Sequence, residues 1–226
     1  GSQYNATSAN QGAVEIQHTA PRMISAKNDI NIAGYPSVDN GTNAYGVYAT
    51  GLLLAGGNIS LGGYGGISGV CVGDLTYLAT VYAGGNFNVG KAALSSSNIA
   101  SFASGAATAT APSGTAAFFT VSTTNSVITA GPNQATYTGL NIQGSAVISG
   151  ASTSTTGASG VYMGRGAGVY SAGSWDITAT NAGTTALSTF SMPSGSLTST
   201  SGGISINSST TSTGSAMPGV ISFSTT

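Results

Sequence analysis

The sequence predicts an all-β fold, a parallel β-solenoid with about 29 residues per rung. Three observations carry that expectation. Short segments alternate apolar and polar residues with period two, the mark of a half-buried strand. Gly and Asn stand at the junctions between those segments, where corners need them. The whole pattern then returns at a nearly constant interval, which points to a repeat architecture.

The first alternating segment is Val14-Glu15-Ile16-Gln17-His18, behind a polar stretch that holds Gln3, Asn5, Ser8, Asn10 and Gln11. Residues 1–20 therefore read as an N-terminal arm, either a cap or a donor strand. Residues 21–226 read as a single β-rich repeat domain. Three segments of that domain align directly: Met23 to Gly34, Leu52 to Gly63, and Thr80 to Gly90. Each has apolar residues, an Ala, a tight turn, and then apolar-polar-apolar. The offset from Ile30 to Ile59 is 29, and that from Ile59 to Phe87 is 28. The beat extends through Phe118, Ile148, Ile177 and Ile204 at offsets of 31, 30, 29 and 27. Seven or eight rungs at that interval would use the whole chain. The last alternating segment is Val220-Ile221-Ser222-Phe223-Ser224. A β-sandwich or jelly-roll, pilin-like subunit with donor-strand exchange is the alternative architecture. Short strands and a strand-like N-terminal arm suit it as well.

Two of the aligned segments resemble a known repeat. Ala26-Lys27-Asn28-Asp29-Ile30-Asn31-Ile32 and Ala55-Gly56-Gly57-Asn58-Ile59-Ser60-Leu61 are similar to the Ala-Gly-Gly-Asp-Ile-x-Leu core of filamentous-haemagglutinin-type repeats. Those repeats build β-helices in secreted adhesins. The resemblance implies a secreted, surface-exposed, β-helical protein.

Composition narrows the function. Lys and Arg number four and Asp and Glu five in 226 residues, with 35 Gly. An ordinary soluble domain of this length would carry about 56 charged residues. Nucleic-acid binding needs basic residues to displace counterions, and Arg22, Lys27, Lys91 and Arg165 are the whole supply. The longest apolar runs, such as Leu52 to Ala55, are far too short to span a bilayer. A net charge of −1 gives almost no repulsion between copies.

No catalytic constellation emerges. The acids are Glu15, Asp29, Asp39, Asp74 and Asp176, and His18 is the only histidine. Asp29, Asn58 and Asn86 fall one period apart, which reads as a structural ladder at a turn; Asp176 is expected in the same register. Asp39 and Asp74 sit in turn-like sequence. A multi-histidine zinc site within one chain is impossible, and no Asp-rich calcium loop of recognised spacing appears. Cys71 is the only cysteine, in the apolar Gly69-Val70-Cys71-Val72-Gly73, and reads as a small buried hydrophobe. Thr-x-Thr pairs at Thr108, Thr153, Thr178, Thr198 and Thr211 recur at offsets of 45, 25, 20 and 13, away from the beat that a flat ice-binding face requires. Tyr45, Tyr48, Tyr64, Tyr77 and Tyr82 read as half-buried packing residues, with a sugar-stacking platform as the functional alternative. Asn-x-Ser/Thr sequons at Asn5, Asn40, Asn58 and Asn207 permit glycosylation in a secreted protein.

The expected function is therefore structural. The chain self-assembles into an extracellular filament or cell-surface fibre by strand addition between subunits. The residues expected at the joint are Val14, Ile16, Val220, Ile221 and Phe223. Its partner is itself, with surface glycans as a further candidate; no nucleic acid, membrane span, metal, cofactor or enzymatic activity is expected. A surface adhesin or carbohydrate-binding β-helix is the alternative, and a polysaccharide-degrading β-helix enzyme using Asp29 or Asp176 stands behind it.

Overall fold

The structure, a computed structural model, describes residues 11–16, 23–34, 44–65, 67–73, 78–90, 109–111, 117–120, 126–130, 133–137, 139–152, 159–164, 169–181, 189–193, 195–210 and 221–223. These residues form strands and turns without a helix.

Three parallel sheets make the three faces of a β-solenoid. The first face stacks β1 (Gln11–Ile16), β4 (Ala44–Ala49), β7 (Ser68–Val72), β11 (Ala117–Thr120), β16 (Val161–Gly164), β19 (Phe190–Met192) and β22 (Ile221–Phe223). The second stacks β2 (Met23–Ala26), β5 (Leu52–Ala55), β8 (Thr80–Ala83), β14 (Leu140–Ile142), β17 (Val169–Ser171) and β20 (Leu197–Ser199). The third stacks β3 (Ile30–Gly34), β6 (Ile59–Gly63), β9 (Phe87–Val89), β15 (Ala146–Ser152), β18 (Trp175–Asn181) and β21 (Ile204–Thr210). Among the described residues the chain visits the faces in that order six times, and β22 opens a seventh pass. Parallel stacking needs a crossover between paired strands, and here the crossover is the other two faces.

Alternation places one set of side chains inside. On the third face Ile30, Ile59, Phe87, Ala146, Trp175 and Ile204 follow one another in register. Two positions further along, Ile32, Leu61, Val89, Ile148, Ile177 and Ile206 do the same. Phe87 of the third face meets Phe119 of the first edge-to-face across the core, with centroids 6.2 Å apart. Trp175 is buried, and its indole N–H donates to the Thr198 carbonyl at 2.9 Å. The polar end of a large buried ring is thereby satisfied. Each coil buries its apolar face only by lying on its neighbours, the logic of solenoid stability.

The predicted interval is real for the second and third faces, with one interruption. Ile59 stacks on Ile30 and Phe87 on Ile59, as the sequence predicts. The next residue in that column is Ala146, at an offset of 59 from Phe87. Two periods of chain thus make a single step. The extra length includes β10 (Ala109–Ala111) and the antiparallel hairpin of β12 (Ser126–Ala130) and β13 (Asn133–Tyr137). β10 joins the third face beside β15 at Gly150–Ser152, beyond the Ala146–Ile148 segment that β9 pairs. Among the described residues six passes therefore stand where seven or eight are expected. Three anchors are corrected with them. Phe118 lies on the first face, in register with Cys71 and Tyr162, not above Phe87. Ile148 stacks on Val89 rather than Phe87, and Ile204 stacks on Trp175 rather than Ile177. In both cases the expected register is two positions off, which keeps the side chain on the same side of the sheet.

Candidate functional site: a polar corner ladder and an open edge

The corner from the second face to the third is three residues long in the first five passes: 27–29, 56–58, 84–86, 143–145 and 172–174. So tight a turn leaves backbone N–H groups pointing along the solenoid axis, and each must find a partner. The rung below supplies one through a side chain. The Asn58 N–H donates to Asp29 Oδ1 at 2.7 Å, and the Asn58 amide nitrogen donates to the same oxygen at 3.2 Å. The Asn86 N–H donates to Asn58 Oδ1 at 2.8 Å, and the Ser145 N–H to Asn86 Oδ1 at 2.9 Å. The Ser174 N–H donates to Ser145 Oγ at 3.1 Å, and the Ser174 hydroxyl donates to the same oxygen at 3.2 Å. Backbone bonds run parallel to this ladder, from Gly57 to the Asn28 carbonyl and from Gly85 to the Gly57 carbonyl.

The ladder fixes the residue before it. A Cβ on Gly85 would stand 2.6 Å from Asn58 Oδ1, where no real Cβ fits. Gly57, Gly144 and Gly173 face Asp29, Asn86 and Ser145 in the same way. The recurrent Gly-Asn and Gly-Ser pairs are thus one device, a polar side chain and the gap it needs in the next rung.

Asp29 is accordingly a ladder residue, as the sequence suggests. Asp176 is not: it pairs in register with Val147 and Ser205, and the ladder position of its rung is Ser174. The insertion between Phe87 and Ala146 hides that shift. Ser145 and Ser174 are the ladder members that sequence reasoning misses. The signal was present in Gly144-Ser145-Ala146 and Gly173-Ser174-Trp175, which repeat the small-polar-apolar order of Gly57-Asn58-Ile59.

Among the described residues no group of three or more His, Cys, Asp and Glu is placed to hold a metal. Asp39, Asp74, His18 and Tyr77 lie outside the described residues. Cys71 is buried, and its thiol donates to the Gly73 carbonyl at 3.0 Å. Tyr45 and Tyr48 stack at 4.7 Å between centroids. No helix of the described residues is long and apolar enough to cross a membrane. Of the sequons, Asn5 and Asn40 lie outside the described residues. The Asn58 amide nitrogen is engaged in the ladder and Ser60 is buried, whereas Asn207 is exposed on β21.

The remaining distinctive surface is at the ends of the stack. β1, β2 and β3 each pair with one described strand, and so do β20, β21 and β22. The two ends differ. Ile30 of β3 is 4% exposed, whereas Ile204, in the same column on β21, is 47% exposed. Of the residues expected at a joint, Val14 and Ile16 lie on β1. Ile221 and Phe223 lie on β22, and Val220 is outside the described residues. Register links the two groups: Val14, Val47, Val70, Ala117, Val161, Phe190 and Ile221 form one column of the first face.

The chain matches no protein-family model, no curated protein and no solved structure.

Proposed function

We propose that the chain is a structural subunit that self-assembles into an extracellular filament or cell-surface fibre by strand addition between subunits. One observation carries this reading. β21 ends the third face with a large exposed apolar residue, Ile204, directly over the buried Trp175. Its outer edge pairs with no described strand. A seven-residue parallel strand whose outer edge no described strand covers, and which carries an exposed isoleucine, is a template for another strand. The low charge supports the same reading, because nine charged residues in 226 offer little repulsion between copies. The chemistry assigned to the chain is assembly rather than catalysis. Negative-stain microscopy and sedimentation of the purified chain over a concentration series test it. Fibres growing with concentration are the expected result, and a monomer throughout the series refutes it.

A second reading has its own observation. On the second face Tyr82, Asn141 and Tyr170 stand in one outward column, with both tyrosines half-buried. Two strand spacings separate the rings, about 9.6 Å. The Gln143 amide donates to Asn141 Oδ1 at 2.6 Å beside them. Aromatic rings flanking amides suit the faces and hydroxyls of a glycan, the adhesin alternative. Glycan binding lost in Tyr170→Ala, with the assembly state unchanged, would favour it.

A further inference from the structure

We propose that the rung ending in β21 stacks head-to-tail on the first rung of a second copy, with Gly203 of one copy against Asn28 of the other. The inference rests on the self-assembly reading and fixes its polarity and register.

The corner column supplies the argument. Each ladder side chain fills the place that a Cβ would need on the next rung, so Gly57 follows Asp29, Gly85 follows Asn58, Gly144 follows Asn86 and Gly173 follows Ser145. Two residues depart from the pattern, and they stand at opposite ends of the stack. Asn28 occupies the position that is Gly in the five later rungs. Gly203 occupies the ladder position, as its carbonyl accepts the Trp175 N–H just as the Ser174 carbonyl accepts that of Ala146. A rung placed before Asn28 must lack a ladder side chain, and the Gly203 rung lacks one.

The other columns continue across the same joint. Ile204 comes to Ile30 and Ile206 to Ile32 on the third face, and Leu197 comes to Ile24 on the second. Five of these six belong to, or pack against, one continuous core, and Ile204 is the one left exposed. On the first face the place is already taken, because β22 pairs β19 where the second copy's β1 would lie. Val14-Glu15-Ile16 repeats the alternation of Ile221-Ser222-Phe223, so β1 of the incoming copy replaces β22 in the exchange. The contact is heterologous and does not close on itself, so it repeats into a fibre. A tail-to-tail contact would join two Ile204 edges and stop at a dimer.

The test is a compensating pair of substitutions read by sedimentation, microscopy and thermal melting. A Cβ on Gly203 meets no atom within 4 Å in the single chain, so Gly203→Asn leaves the melting temperature unchanged. In the head-to-tail joint it collides with Asn28, and the concentration for half-assembly rises about tenfold or more. Adding Asn28→Gly removes the collision and lets the new amide accept the Asp29 N–H, so the double variant assembles at least as readily as the wild type. Wild-type assembly with Gly203→Asn equally competent overturns the polarity and register while leaving self-assembly intact. Failure of the double variant to recover, or a wild type that stops at a two-fold dimer, overturns them as well. A wild type that stays monomeric overturns the assembly reading itself.

Discussion

Two connections in the same coil behave very differently. From the second face to the third, the chain turns in three residues in each of the first five passes and in four, 200–203, in the sixth. From the third face to the first, the connections after β3, β6, β15, β18 and β21 hold nine, four, eight, eight and ten residues. Both join strands of the same core. The difference lies in what holds the turn. In the second to fifth tight corners an N–H is bound by a side chain of the rung below, so each of these corners depends on its predecessor. A single extra residue there would break bonds on two rungs. The longer connections vary in length around the same core. Constancy of length therefore marks where rungs read one another.

The sharpest way to break this comparison is an insertion in the tight corner. One residue added between Gly144 and Ser145 displaces β15 by one position against β9. Because side chains alternate, Ala146, Ile148 and Gly150 would turn outward and Val147 and Ser149 inward. The chain is expected not to reach a cooperative fold, checked by circular dichroism and thermal melting. A cooperative transition near that of the wild type would show that the corner does not set register.

That expectation also separates what was readable in the sequence from what was not. The second and third faces were readable because Ile30, Ile59 and Phe87 repeat at the interval that the short corner enforces. The first face was not. The offset from Gln11 to Ala44 is 33, from Tyr45 to Ser68 it is 23, and from Ala117 to Val161 it is 44, yet each pair is in register. Variable connections feed that face, so it carries no period of its own. The ladder was readable at Asp29, Asn58 and Asn86 for the same reason that the faces were. It was lost at Ser145, where the offset from Asn86 jumps to 59 and the ladder side chain changes from an amide to a hydroxyl. The end rungs keep the period, but the openness of the last one leaves no trace in it, since exposure of Ile204 depends on what lies beyond the strand and not on its own pattern.

Smaller effects sharpen the comparison within the tight corner. Phe87→Ala removes a fully buried ring directly after the turn and should cost about 3–5 kcal/mol in chemical unfolding. Gly85→Ala tests the gap that the Asn58 side chain occupies. Its methyl group would stand against Asn58 Oδ1, so a loss of about 1–3 kcal/mol is expected from overpacking. Replacing Asn58 by Ala in the same background opens the space again and should recover part of that loss, a coupling that a double-mutant cycle measures. Additive losses would refute the claim that the two residues form one device. Asn58→Ala alone leaves the Asn86 N–H without its side-chain acceptor. Because that corner is exposed to water, about 1 kcal/mol is expected.

The smallest effect belongs to the other connection. Two residues inserted between Thr153 and Ser154 lengthen the eight-residue segment that joins β15 to β16. Loop-closure entropy grows only with the logarithm of length, so the cost should stay below about 0.6 kcal/mol, the penalty for a full doubling. Neither β15 nor β16 changes its register, because each is held by its own neighbours, β9 and β18 for the first and β11 and β19 for the second. The five natural connections at this corner already span four to ten residues around an unchanged core, which is the same experiment performed within one chain. A loss as large as that of the corner insertion would mean that length is policed at both turns, and the ladder would no longer explain why only one of them is constant.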